Sequence, residues 1–190
     1  LGTPVSGRKH PALEDQIGLL VNSVTLRTQR TAEDSLRSFL AKVSHTLFAA
    51  LEHAEYPFEQ LVEALPLVRD LSRNPLFDVW IQYLDRSLQG GQHLQLAGVE
   101  VEPLEPTIET TMFDLSFFFV EVAGGVELQL EYNTDLFRRS TIERLVQYFE
   151  QLCQKALAQP EVPLSGLSHL DAASQESILA LAEGPAAPVA

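Results

Sequence analysis

Apolar residues recur at helical spacing twice along this chain and alternate at strand spacing in several shorter runs. Leu36, Phe39, Leu40, Val43, Leu47, Ala50 and Leu51 fall three and four apart, which predicts one amphipathic helix running to about His53. Ile142, Leu145, Val146, Phe149, Leu152, Cys153 and Ala156 form the cleaner second stripe. Thr31 with Asp34, and Ser140 with Glu143, read as capping boxes opening these two helices, with an acid in the first turn of the first. Pro57 suits the first turn of a shorter helix through Leu65, which Pro66 stops. Residues 1–8 read as a strand end entering a loop, and Pro11 to Gln16 as a short helical turn. Strands are predicted over Ile17–Arg27, Leu76–Leu84, Leu94–Val101, Phe113–Val122 and Val126–Asn133, the last two forming a hairpin across Ala123-Gly-Gly. A last short helix, about Ala172 to Ala182, leads into a Pro- and Ala-rich stretch with linker composition. The order of elements predicts an α/β fold, a two-layer sandwich whose mixed sheet carries its helices on one face.

Composition narrows the function more than the fold. Thirteen Lys and Arg against 26 Asp and Glu give a net charge of −13, which argues against nucleic acid and against an anionic membrane surface. No apolar run approaches the roughly 20 residues of a membrane span. Cys153 is the single cysteine, so no intrachain disulfide can form, in keeping with a cytoplasmic setting. It falls on a helical stripe and reads as a small core residue. The chain opens on Leu inside a strand, without an initiator Met, and is read as a piece of a longer polypeptide.

Complete catalytic constellations are missing from the residues themselves. His10, His45, His53, His93 and His169 are not paired with one another at ligand spacing, and no carboxylate cluster accompanies them in a metal-site pattern. His45 lies between the core positions of its helix and reads as a surface residue. No Gly-rich phosphate loop and no nucleophile elbow occurs.

Three segments in fixed order carry a family resemblance: Ile17-Gly-Leu-Leu-Val-Asn-Ser-Val-Thr-Leu-Arg27, His53-Ala-Glu-Tyr-Pro-Phe-Glu-Gln-Leu-Val62 and Arg69-Asp-Leu-Ser-Arg-Asn-Pro-Leu76. Gly2-Thr-Pro-Val-Ser-Gly-Arg8, Met112-Phe-Asp-Leu115 and Leu130-Glu-Tyr-Asn-Thr-Asp-Leu-Phe137 extend it over about residues 1–170. The series resembles the later motifs of condensation domains in nonribosomal peptide synthetases. That resemblance implies a chloramphenicol acetyltransferase-like fold of two similar lobes in a V, with a tunnel at their junction. Phosphopantetheine arms of donor and acceptor carrier proteins enter it from opposite faces, and no cofactor is bound by the domain directly. The family's catalytic motif, His-His-x-x-x-Asp-Gly, is absent from these 190 residues. On this reading residues 1–170 are the C-terminal lobe, inactive alone, and the catalytic histidines belong to an N-terminal lobe upstream. Residues 171–190 begin a linker towards an adenylation domain.

The resemblance implies candidate tunnel residues: Ser6, Gly7, Arg8, Asn22, Arg69 and Asn74. A small hydroxyl beside Gly7 would let a pantetheine arm pass closely, and a simple Ser-Gly turn explains the pair equally well. An amide on a strand of Leu, Val and Thr needs partners, so Asn22 either bonds substrate or cross-links backbone within the sheet, the second being favoured. The Arg69–Pro75 segment has the composition of a hydrogen-bonded loop, for which a structural role is favoured, and Arg69 and Asn74 are its alternatives for facing the tunnel. Phe58 reads as packing. Residues 88–103 stand where the family has a crossover latch, whose Leu94, Leu96 and Val99 would lack partner surface. A different reading is a non-catalytic module that only recruits carrier proteins, which the acidic charge disfavours because carriers are themselves acidic.

Overall fold

The structure is a computed structural model describing residues 1–67, 70, 73–84, 99, 110–168, 170, 176 and 179. Among the described residues five strands form one mixed sheet: β1 (Gly2–Ser6), β2 (Val21–Thr25), β3 (Val79–Leu84), β4 (Leu115–Val122) and β5 (Gly125–Tyr132), in the order β2-β1-β3-β4-β5. The helices are α1 (Leu36–Glu52), α2 (Phe58–Ala64) and α3 (Arg139–Ala158), with short 3-10 turns at Pro11–Leu13 and Leu164–Gly166. The mixed sheet and the α/β class are those the residue pattern predicts. The segment 1–8 holds a full five-residue strand rather than a strand end. The strand predicted at Leu94–Val101, the latch and the helix at 172–182 lie outside the described residues, apart from Val99, Glu176 and Leu179.

Two compact units divide the chain, Leu1–Arg27 with His45–Phe137, and Thr28–Ser44 with Arg138–Ala190. The first contains the whole sheet. Its outer strand pairs are antiparallel, β1 with β2 and β4 with β5, and its inner pairs β1–β3 and β3–β4 are parallel. The β4–β5 hairpin closes through Ala123 and Gly124, whose φ of 91° is a left-handed conformation that favours glycine.

The joint between β1 and β3 is a single register pair, Gly2 with Trp80. Leu1 exchanges bonds with Leu26, and the Gly7 amide donates to Leu20, so the odd residues of β1 turn towards β2. Its even residues therefore turn towards β3, and among them Pro4 has no N–H to donate. A Cβ on Gly2 would overlap the ring of Phe77, itself buried beside Phe58, Trp80 and Phe113. Trp80 stacks on Phe113 with centroids 4.8 Å apart, a contact that adds to the area they bury.

In the second unit the start of α1 corrects the predicted cap. The helix begins at Leu36, and the reciprocal bonds are those of Ser35 and Ser38: the Ser38 amide donates to Ser35 Oγ at 3.3 Å, and the Ser35 amide to Ser38 Oγ at 3.0 Å. A serine hydroxyl does here what Glu or Gln does in the usual motif. Asp34 stays outside the helix, whose first turn has no acid. Its buried carboxylate accepts from the Thr31 amide at 2.7 Å and from Lys42 Nζ at 2.8 Å. The Lys42 hydrogen bond, then the Thr31 amide, hold it down from 3.8 to about 2. Helix α3 likewise lacks the predicted Ser140–Glu143 box. Arg138 flanks it without a side-chain cap, and Glu143 pairs with Arg139 at 2.9 Å.

Pro57 sits at the N-cap of α2 rather than in its first turn. Leu65 is extended (ψ 141°), the conformation that a following proline imposes, and it ends the helix.

Candidate functional site

At the carboxyl end of β1 the chain enters a tied loop. Ser6 is exposed, and its Oγ accepts from the Arg8 amide at 3.2 Å. The Gly7 amide donates to the Leu20 carbonyl at 2.5 Å, and a Cβ at Gly7 would lie 2.8 Å from that same oxygen. Glycine is thus required by a close backbone approach. Arg8 Nη2 donates to the carbonyl of Gln16 at 3.0 Å and reaches that of Gly18 at 3.5 Å. Ile17 and Leu19, beside those carbonyls, are fully exposed.

Asn22, opposite Val5 on β2, directs three side-chain hydrogen bonds away from the sheet. Its Nδ2 donates to the carbonyls of Ala54 at 2.9 Å and Tyr56 at 2.8 Å, and its Oδ1 accepts from the Phe58 amide at 3.2 Å. Two carbonyls on one side and an N–H on the other fix the orientation of the amide. Asn22 therefore grips the elbow between α1 and α2, not the sheet as the sequence suggested. Ala54 of that elbow is buried with Val5 and Val24, against half-buried Leu26 and Ala50. Glu55 pairs with Lys9 at 3.2 Å. Ser6, Gly7, Arg8 and Asn22 thus share one end of the sheet.

Asn74 belongs to the other end. It precedes β3, and Gly2, at the start of β1, is the residue level with Trp80. Asn74 Oδ1 accepts from the amides of Leu76 at 3.1 Å and Phe77 at 3.3 Å, a local turn. Arg73 grips Asp78 with two guanidinium nitrogens, and that hydrogen bonding and charge raise its already high pKa. The Asp78 carbonyl accepts from Asp114 and Leu115 at 3.1 and 3.3 Å, tying this loop to the start of β4. A cavity of about 360 Å³ lies here, lined by Asp70, Arg73, Asn74 and Phe77 among others. Arg69 lies outside the described residues.

Among the described residues, groups suited to proton or metal chemistry do not gather at either end. His10 Nδ1 accepts from the Ala12 amide at 3.2 Å and caps the first 3-10 turn. His45 and His53 are exposed, and His93 and His169 lie outside the described residues. Among the described residues no three His, Cys, Asp or Glu side chains are placed to hold a metal ion. Burial pushes the Cys153 thiol up, away from thiolate character at neutral pH. Sequence reasoning missed the elbow as a partner of the loop. The Pro57 motif located it, but nothing in sequence marks Lys9 as the partner of Glu55.

Comparison with known proteins agrees with this layout. The family model of the condensation domain matches residues 1–179. Tyrocidine synthase 3 of Brevibacillus parabrevis is 38% identical over 94% of this chain, and surfactin synthase subunit 1 of Bacillus subtilis is 35% identical over all of it. The chain spans only 3% and 5% of the length of those relatives. Among solved structures, the X-domain from teicoplanin biosynthesis, in its complex with OxyB, superposes with a TM-score of 0.79 at 25% identity, over 90% of this chain and 37% of that one. A four-domain nonribosomal peptide synthetase, holo-AB3403, gives 0.74 at 24% identity, over 90% of this chain and 14% of that one. With the motifs in order on the strands and loops just described, the chain belongs to the condensation domain family of nonribosomal peptide synthetases and has their chloramphenicol acetyltransferase-like fold.

Proposed function

We infer that this chain is the C-terminal lobe of a condensation domain that joins two carrier-borne acyl units through an amide bond. The observation that carries this reading is the family match over residues 1–179 in a sequence without adjacent histidines. In the reaction the acceptor amine attacks the donor thioester carbonyl. A C–N bond forms, the C–S bond breaks, and the donor's phosphopantetheine thiol leaves. The amine's proton is the business of the His-His-x-x-x-Asp-Gly motif on an N-terminal lobe upstream of Leu1. This lobe supplies a wall that holds the two arms in line, and alignment of that kind lowers a barrier by several kcal/mol.

Ser6, Gly7 and Arg8 form the tunnel-facing loop on this reading, at the carboxyl end of β1. The side chains of Asn22 and Asn74 are engaged by backbone, and Arg69 is a proposed tunnel residue from the family motif alone. The partners are the N-terminal lobe, donor and acceptor carrier domains and a downstream adenylation domain, in the cytoplasm; among the described residues no helix is long and apolar enough to cross a membrane. A second reading, a non-catalytic docking module, is favoured by one observation: the similar X-domain was solved in a complex with OxyB.

The test is reconstitution of the complete polypeptide with loaded donor and acceptor carriers, following the condensed product by mass spectrometry. Product is expected, and is expected to persist when His10, His45, His53, His93 or His169 is replaced by Ala. Loss of product on any one of those substitutions overturns the assignment of proton chemistry to the other lobe. No product from the unaltered polypeptide favours the docking module.

A further inference from the structure

Asn22 is half-buried on β2, yet its amide reaches across 32 to 36 residues to two carbonyls and one amide of a single elbow. The same elbow meets the chain on both sides of the loop. Ala54 is buried against Val5, the residue before Ser6, and Glu55 pairs with Lys9, the residue after Arg8. The loop is held from its other side by the Gly7 bond to Leu20, two residues before Asn22. The Ser6–Arg8 loop is therefore bracketed by elbow contacts, and Asn22 ties that elbow to β2 through three side-chain hydrogen bonds.

The geometry points to Asn22 as a positioning residue that never touches substrate and fixes the Ser6–Arg8 loop by fastening the 54–58 elbow to β2. This rests on the reading of that loop as tunnel wall. The isosteric change Asn22→Asp separates the functions of the amide. A carboxylate still accepts from the Phe58 amide, but it faces the Ala54 and Tyr56 carbonyls with no proton to offer. Asn22→Ala removes all three bonds.

Hydrogen exchange and turnover of the complete polypeptide test this together. In Asn22→Asp and Asn22→Ala alike, the amides of Gly7 and Arg8 are expected to exchange at least tenfold faster, although Asn22 bonds neither. Turnover at saturating loaded carriers is expected to fall at least fivefold, with the KM for either carrier changed less than twofold. Faster exchange confined to Phe58 and its neighbours overturns the inference, whatever the turnover. A rise in KM with unchanged turnover and unchanged Gly7 exchange also overturns it, because it places Asn22 on the substrate. Faster Gly7 exchange with undiminished turnover leaves the fastening in place and overturns the tunnel reading beneath it. Should Asn22→Ala fail to fold, Asn22→Asp with its one retained bond carries the test.

Discussion

Two asparagines, Asn22 and Asn74, lie in motifs of the same family and answer to backbone in opposite ways. Among the described residues Asn74 serves as an acceptor, and its partners are two and three residues away. Asn22 is chiefly a donor, and its partners are 32 to 36 residues away. The first shapes a turn that the local sequence could nearly form unaided. The second ties β2 to an elbow far along the chain, beside the apolar contact of Ala54 with Val24. The same side chain thus serves a local and a long-range purpose, and the chemistry of substitution tells them apart.

The sharpest way to break this comparison is to replace each by aspartate. Asn22→Asp is expected to lower stability by about 1–3 kcal/mol, since the part-buried Ala54 carbonyl and the exposed Tyr56 carbonyl lose their donor and face a charge. Urea unfolding measures it, and a loss under about 0.5 kcal/mol would erase the distinction. A pH effect comes next. Asp34, a carboxylate with an amide and an ammonium for partners, is held at about 2 instead of 3.8. A depressed carboxylate stabilises the fold above its unfolded value, and the contribution is lost as pH falls from about 4 towards 2. Thermal melts across that window are expected to show Asp34→Asn converging on the unaltered protein at the acid end. Asn74→Ala follows, at about 1 kcal/mol, the worth of a side-chain cap, while Asn74→Asp should change little because an acceptor remains. The smallest effect belongs to the exposed Arg139–Glu143 pair. Glu143→Gln is expected to cost about 0.3 kcal/mol, a difference that disappears in high salt.

What the sequence could reveal followed from how far apart the cooperating residues are. The stripes of α1 and α3, the proline boundaries of α2 and the Gly124 hairpin are short-range features, and each was legible. Cap placement was not, because Ser35 and Ser38 satisfy each other without the Glu or Gln that marks a box, and the more familiar Thr31–Asp34 spacing fell one turn too early. In the candidate site, Ser6, Gly7 and Arg8 were legible as a loop from the motif. The need for glycine at position 7 was not, since it comes from Leu20, a residue thirteen positions on. The grip of Asn22 on residues 54–58 has no sequence signature at all, because periodicity says nothing about which distant backbone groups lack partners.

The seam between β1 and β3 has a mechanical consequence. Most sheets loosen from the rim inwards, because the rim strands have one neighbour each. Here the thinnest stitching runs down the interior, where Pro4 withholds a donor and Gly2 makes room for Phe77. The sheet is two panels sharing a short hem: five register pairs join β1 to β2, six join β3 to β4, and one joins the panels.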